Sequence, residues 1–239
     1  MFGFGKGKSN KKVPEIDPDL FNNLRRAVRT LIKDRLASGE IPKPENGLYV
    51  LGCFVMFDWD SSNVCLYWST EEQCRLRNEK LSASKWTDEE KHRLRPCYRW
   101  SPAEFGVEFI CLDELESILT EYHISELDES IQDQTIEDFK ARTQLAVIKA
   151  LQDLVRTGAF GSPESRAKLT LLSGEMGNEE DIDETSLILS VRALNTPELA
   201  NAFFGEWITI SLTKDSVLMW TEKHLAKAKG TPFCQLLEQ

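Results

Sequence analysis

Ten residues, Leu48 to Phe57, read L-Y-V-L-G-C-F-V-M-F, and neither of their two alternating sets is polar. A strand sends successive side chains to opposite faces of its sheet, so a strand without a polar set has to be covered on both faces. This run therefore demands a sheet with packed material above and below it. The turn-rich D-W-D-S-S-N of residues 58–63 follows, and Val64-Cys65-Leu66-Tyr67-Trp68 returns. Residues 48–68 are expected to form a β-hairpin with a short polar loop. With ten residues and Gly52 inside it, the run is too short to span a bilayer, and no other stretch is longer.

Helices supply the cover. Asp17 as N-cap and Pro18 at the first helical position open a helix whose apolar positions Leu20, Phe21, Leu24, Val28, Leu31 and Ile32 share one face, with a stop at Gly39. Ser69 or Thr70 with Glu71 and Glu72 starts a second helix, to about Leu81. Thr87 caps a short third one that is expected to end before Pro96. After a helix from about Asp113 to Tyr122 and a loop over 123–133, the longest helix is expected over Ile136–Thr157. Phe139, Ile148, Leu151 and Val155 are its core candidates, and Gly158 is its stop. A strand is expected at Lys168–Leu172, a helix at Glu184–Leu194 and another at Pro197–Phe204. A strand at Trp207–Leu212 and an amphipathic helix at Val217–Lys227 complete the chain. The fold class is α+β: a small, mostly antiparallel sheet containing the 48–68 hairpin, packed by several helices. With 41% hydrophobic residues the chain can fill one core. One domain over 16–239 is expected, after a basic arm at 1–15 that reads as disordered.

One segment carries more chemistry than the rest: Cys97 to Glu108, C-Y-R-W-S-P-A-E-F-G-V-E. Ser101, Pro102 and Glu104 fit a capping box with proline at the first helical position, and Trp100 can then pack on Phe105. Arg99 between Tyr98 and Trp100 can hold an anionic group, with either ring as a wall. Tyr98, Arg99, Trp100, Ser101 and Glu104 are thus the candidate binding residues. The competing reading has Arg99 paired with a core carboxylate, Trp100 anchoring the helix entry and Glu104 occupied in the cap.

The net charge of −10 is unevenly spread. Lys6, Lys8, Lys11 and Lys12 put +4 in the first twelve residues. Between Arg99 and Lys140 there is no lysine or arginine but twelve acids, among them Asp113, Glu114, Glu116, Glu121, Glu126, Asp128 and Glu129. Such a run is either a solvated surface or a face that steers a basic partner. It should repel nucleic acid, and no basic patch with interleaved aromatics offsets it. The glycines of F-G-F-G-K-G-K follow no strand and lack the phosphate-loop spacing. Asp58-Trp59-Asp60 sets two carboxylates on one side of an extended chain, which turn formation explains better than a metal. The six cysteines are expected as free, mostly buried thiols: no C-x-x-C occurs, and His92 and Cys97 flank Pro96 in poor zinc geometry. No nucleophile motif is present, and no cofactor is called for. The start shows no apolar secretion segment, so a cytoplasmic protein is expected.

Tyr98–Phe105, Y-R-W-S-P-A-E-F, resembles the arginine-tryptophan-serine-proline-x-glutamate-aromatic stretch of a bacterial family filed as domain of unknown function 4303. Arg192–Leu199, R-A-L-N-T-P-E-L, is similar to that family's leucine-asparagine-proline junction, with Thr196 inserted before Pro197 and Phe105 where tryptophan is expected. The likeness would extend over most of residues 17–207. It implies a bacterial cytosolic domain with no established reaction, of a general kind that includes toxin-neutralising immunity proteins. Two functions from different classes follow. The first is a non-catalytic acidic interaction module that binds a basic partner, as a monomer or weak homo-oligomer. The second is a small-molecule-binding protein or enzyme with its pocket around Tyr98, Arg99 and Glu104. A scaffold that self-associates through the hairpin edge is a third.

Overall fold

A computed structural model describes residues 19–57, 62–100, 109–111, 129–176, 184–207 and 222–237. The first described element is α1 (Leu20–Ser38), whose Leu20, Leu24, Val28, Ile32 and Leu36 are buried at four-residue intervals; the expected start at Asp17 and Pro18 lies outside the described residues. The helix ends at Gly39, whose φ of 83° is the left-handed conformation that glycine adopts without strain. A single 3-10 turn, Pro44–Asn46, leads into β1 (Leu48–Phe57), which pairs antiparallel with β2 (Ser62–Thr70). The hairpin is therefore present with the expected strands. Next come α2 (Glu71–Ala83), α3 (Asp88–Trp100), β3 (Phe109–Cys111), α4 (Glu129–Arg156) and a helical turn at Pro163–Arg166. Then follow β4 (Thr170–Met176), α5 (Glu184–Leu194) and α6 (Pro197–Trp207). Residues 222–228 are helical, and Cys234–Leu237 form a last turn.

The fold is α+β, and its sheet has the order β3-β2-β1-β4. Two junctions are antiparallel, but β1 and β4 run parallel from Val50↔Thr170 to Met56↔Met176, so the sheet is mixed rather than mostly antiparallel. A parallel neighbour needs a long crossover, and the chain from β1 to β4 passes through the longest helix on the way. β4 also runs past the expected Leu172 and through Gly174. A Cβ there would stand 3.5 Å from the Phe54 ring and from Ser186 Oγ, an ordinary contact distance, so the strand passes Gly174 without requiring glycine.

Three helix boundaries depart from expectation for physical reasons. Thr87 and Glu90 form a capping box, as read from sequence, but α3 does not stop before Pro96; it continues to Trp100. An interior proline removes one amide donor at a cost of about 3 kcal/mol, which the deep burial of Trp100 in the last turn offsets. α4 starts at Glu129, inside the segment expected as loop, because a polar stretch lacking glycine and proline does not end a helix. α6 continues to Trp207, where a strand was expected to begin. The remainder of that strand, residues 217–221 of the late helix, the 1–15 arm and the Asp113–Tyr122 helix lie outside the described residues.

Both faces of the sheet are covered, as the apolar run requires. On one face Leu48, Leu51, Cys53 and Val55 of β1, with Val64, Leu66 and Trp68 of β2, pack under α1 and α4. On the other, Tyr49, Val50, Phe54, Cys65 and Tyr67 join Leu172, Leu187, Val191, Trp100 and Phe203. Tyr49 and Val50 are consecutive yet belong to the same cluster. The β1/β2 register shifts between Leu48 and Val50, and a shift of that kind re-aims a side chain. The outer edge of β4 is closed by Ser190 of α5 and by Asn195 just after it. Ser190 Oγ accepts from Ser173 N at 3.0 Å and donates to Ser173 O at 2.6 Å. Asn195 does the same for Leu171, with both contacts at 2.7 Å. An exposed edge is a template for another strand, and this one is taken.

Polar locks hold the helices to this frame. Lys140 donates to Glu175 at 2.8 Å and Gln144 to the same carboxylate at 3.1 Å, fastening α4 to the end of β4. Thr185 Oγ1 and His224 Nδ1, both buried, lie 2.7 Å apart. Arg166 donates to the carbonyls of Leu169 and Leu194, and burial lowers its pKa to about 10. Cys53, Cys65 and Cys74 are buried free thiols and Cys234 is a partly buried one, with burial pushing the Cys53 thiol up. Cys97 and Cys111 have side chains outside the described residues. Among the described residues no helix is long and apolar enough to cross a membrane.

Candidate functional site

The second face ends in a cleft, and its construction starts at the junction of β2 and α2. Thr70 Oγ1 accepts from Gln73 N while the Gln73 side chain accepts from Thr70 N, a complete capping box. With the start of α2 fixed, its residues are divided by helical period. Cys74 and Leu81 turn into the core. Arg77 reaches back to the sheet and donates to Ser69 Oγ at 2.6 Å, with Tyr49 Oη at 3.4 Å. Arg75, Asn78, Glu79 and Ser82 line the cleft from one wall, spaced three, one and three apart. α3 presents His92, Arg95, Pro96 and Arg99 from the opposite wall with the same spacing, and Gly205 and Glu206 of α6 contribute the third side. The cleft is open to solvent, with a volume of about 920 Å³.

Arg99 and Trp100 are organised by three rings. Trp100 is 3% exposed and meets Tyr49 edge-on with centroids 6.1 Å apart, and Phe203 edge-on at 5.4 Å. Its indole Nε1 donates to Glu206 Oε2 at 2.7 Å. The Tyr49 hydroxyl donates to the Arg99 carbonyl at 2.7 Å, and burial holds that phenol well above its ordinary pKa. That hydrogen bond pins the last turn of α3. The Arg99 guanidinium carbon lies 4.9 Å from the Tyr49 ring centre and 5.1 Å from that of Trp100. Glu71 and Glu206 flank it at 3.6 and 3.7 Å, close enough for attraction but too far for a hydrogen bond. Arg99 Nε has no hydrogen-bond partner, and neither does Asn78 Oδ1 on the facing helix.

Of the five candidates read from sequence, the structure brings Arg99 and Trp100 into one cluster. The Tyr98 side chain, Ser101 and Glu104 lie outside the described residues, as do Phe105 and the proposed serine cap. The carboxylates beside Arg99 come from Glu71 and Glu206, both substantially exposed, rather than from the core. The proposed acidic face, Asp113, Glu114, Glu116, Glu121, Glu126 and Asp128, is outside the described residues too, and of Glu129 only the helical backbone is described. Sequence reasoning did not find Arg75, Asn78, His92, Arg95 or Glu206. The signal for the first four was the matched helical stripe on α2 and α3, which is hidden once α3 is ended at Pro96. Tyr49 was read only as part of an apolar strand. Among the described residues there is no group of three or more His, Cys, Asp or Glu placed to hold a metal.

The geometry defines a class: a mixed-sheet α+β domain carrying an arginine-lined cleft against an aromatic core. The family model described as Domain of unknown function (DUF4303) matches residues 43–196, and the chain belongs to that family. The match contains the sheet, α2, α3, Tyr49, Arg99 and Trp100, while α1 and the Phe203 and Glu206 side of the cleft lie beyond it. Neither curated proteins nor solved structures give a match.

Proposed function

We propose that this chain is a binding protein whose recognition site is the cleft between α2, α3 and the end of α6, and that the cleft takes the carboxylate of a small molecule. The placement of Arg99 carries the reading. Two rings and a tyrosine hydrogen bond hold its backbone and guanidinium while leaving the side chain 34% exposed on the cleft wall. His92 and Arg95 stand beside it with no hydrogen bond or ion pair among the described residues. Arg75, by contrast, is already engaged by Glu72 and Glu79. Three arginines border the cleft, but Glu71, Glu72, Glu79 and Glu206 lie beside Arg99 and Arg75, so the local charge is nearly balanced and suits a monoanion held by Arg95 and Arg99 better than a phosphate. Ala83, Pro96 and Gly205 offer apolar surface to the rest of the ligand. The role needs no chemistry at the site and no cofactor. It fits a bacterial cytoplasmic protein, monomeric or weakly self-associating, that engages neither nucleic acid nor membrane.

Calorimetric titration with a panel of mono- and dicarboxylates at constant ionic strength tests this. At least one should bind saturably, and Arg99→Met and Arg95→Met should each weaken it about tenfold or more, the effect of losing a charge-assisted contact. Equal affinity in the wild type and both variants rules the cleft out. The acid-only stretch from Glu104 to Asp138 supports a second reading, engagement of a basic protein such as a nuclease toxin in the manner of an immunity protein. Association with a basic partner should then slow steeply as salt is added. Indifference to ionic strength removes that reading.

A further inference from the structure

The other side of the molecule carries a second concentration of cations, which is unexpected in a chain of net charge −10. α1 and α4 pack side by side, and Asp153 of α4 sits between their outer faces, 13% exposed. Arg25 grips it with two contacts of 2.7 Å, while Arg156 and Arg29 approach the same carboxylate at 3.5 and 3.9 Å. About three turns earlier on α4, Arg142 pairs with Asp138 at 2.6 Å and lies over the Phe21 ring at 5.9 Å. Lys149 lies between these groups. Its amine donates to the neutral Gln235 Oε1 at 2.5 Å, and no carboxylate pairs with it among the described residues. Burial, and then the neighbouring Arg25 guanidinium, lowers its pKa. Five cations thus share two carboxylates, and one of the five has none. Three of them, Arg25, Arg142 and Lys149, line a cleft of about 420 Å³ together with Asp138, Phe21, Thr231 and Gln235.

We infer that this cleft is a second ligand site, distinct from the Arg99 cleft, and that it takes a phosphate group of a small molecule. Three cations line this cleft against the single lining carboxylate of Asp138, whereas four carboxylates lie beside the arginines of the Arg99 cleft. A dianion between Lys149 and Arg25 relieves the repulsion of two neighbouring cations and accepts from both. The Phe21 ring supplies a flat apolar wall for whatever carries the phosphate.

Inorganic phosphate titrated into the full ¹⁵N-labelled chain, against chloride at matched ionic strength, is the test. Saturable shifts are expected at the backbone amides of Lys149, Thr231 and Gln235 and at the Arg25 side chain. Lys149→Met should weaken binding about tenfold, and Lys149→Arg, which keeps the charge, should retain most of it. Both variants should give the dispersed spectrum of the folded chain. Shifts that stay linear in phosphate, that appear equally with chloride, that gather at Arg95 and Arg99 instead, or that persist in Lys149→Met overturn the inference.

Discussion

The two faces of the sheet are closed by different means. Under α1 and α4 the contacts are mainly aliphatic, with Trp68, Phe139 and Phe160 among them: Leu24, Val28 and Ile32 from one helix and Val147, Ile148 and Leu151 from the other are fully buried. Such packing is nondirectional, and any well-shaped hydrocarbon fills it. The opposite face relies on rings with polar ends. Tyr49, Trp100 and Phe203 stack edge to face, but Tyr49 also has to reach the Arg99 carbonyl and Trp100 has to reach Glu206. Each directional bond fixes a side chain more tightly than burial alone, because a buried donor without its acceptor is expensive. The aliphatic face therefore supplies stability, whereas the aromatic face also supplies position, and it is the aromatic face that ends in the Arg99 cleft.

Substitutions should separate the two faces. Trp100→Ala removes the largest ring and strands Glu206, and a loss of about 3–5 kcal/mol is expected in urea unfolding. Its partner experiment, Trp100→Phe, keeps most of the packing but loses the indole bond, so it should damage carboxylate binding out of proportion to stability. Leu151→Ala on the aliphatic face should lose about 2–5 kcal/mol. Whatever fraction remains folded should bind at the Arg99 cleft as the wild type does. If Leu151→Ala weakens binding as much as Trp100→Phe, the division between the faces is wrong. Ser190→Ala unpairs both backbone groups of Ser173 at the closed edge, an effect of about 1–3 kcal/mol. It should also raise concentration-dependent association in sedimentation, since the edge is reopened.

The smallest expected effect is electrostatic. The Arg25 hydrogen bonds, and then the nearby Arg156 and Arg29 charges, hold the Asp153 carboxyl below its ordinary range. A carboxylate whose folded pKa is depressed contributes stability above its unfolded pKa of about 4, and that contribution disappears as pH falls through the lower folded value. Asp153→Asn should therefore be less stable than wild type at neutral pH by about 1 kcal/mol, given that Arg25 is partly exposed, and the gap should close below pH 4. A gap that persists unchanged at pH 3 assigns the role of Asp153 to shape rather than charge.

Much of this architecture could be read from residues 48–68 and from the buried stripe of α1, because both depend on local periodicity and on punctuation by turn residues and Gly39. The parallel pairing of β1 with β4 could not, since it joins strands more than a hundred residues apart and no periodicity records which neighbour a strand takes. The site divides along the same line. Arg99 and Trp100 stood out because they adjoin a sharp proline signal, yet that kind of signal at Pro96 hid the helix that carries His92 and Arg95. Glu206, which accepts from Trp100, lies 106 positions away along the chain. Only the closed fold brings it to the ring.

The central claim is that Arg99, set by the Tyr49 and Trp100 rings, presents its guanidinium to a carboxylate in the cleft. Side-chain ¹⁵N spectroscopy of the arginines, with Arg99 assigned through the signal lost in Arg99→Lys, tests it directly. With a carboxylate identified by calorimetry at saturation, the Arg99 and Arg95 guanidinium signals should shift together and exchange more slowly with solvent, while that of Arg25 stays in place. Saturable binding that leaves both Arg99 and Arg95 unmoved would contradict the account.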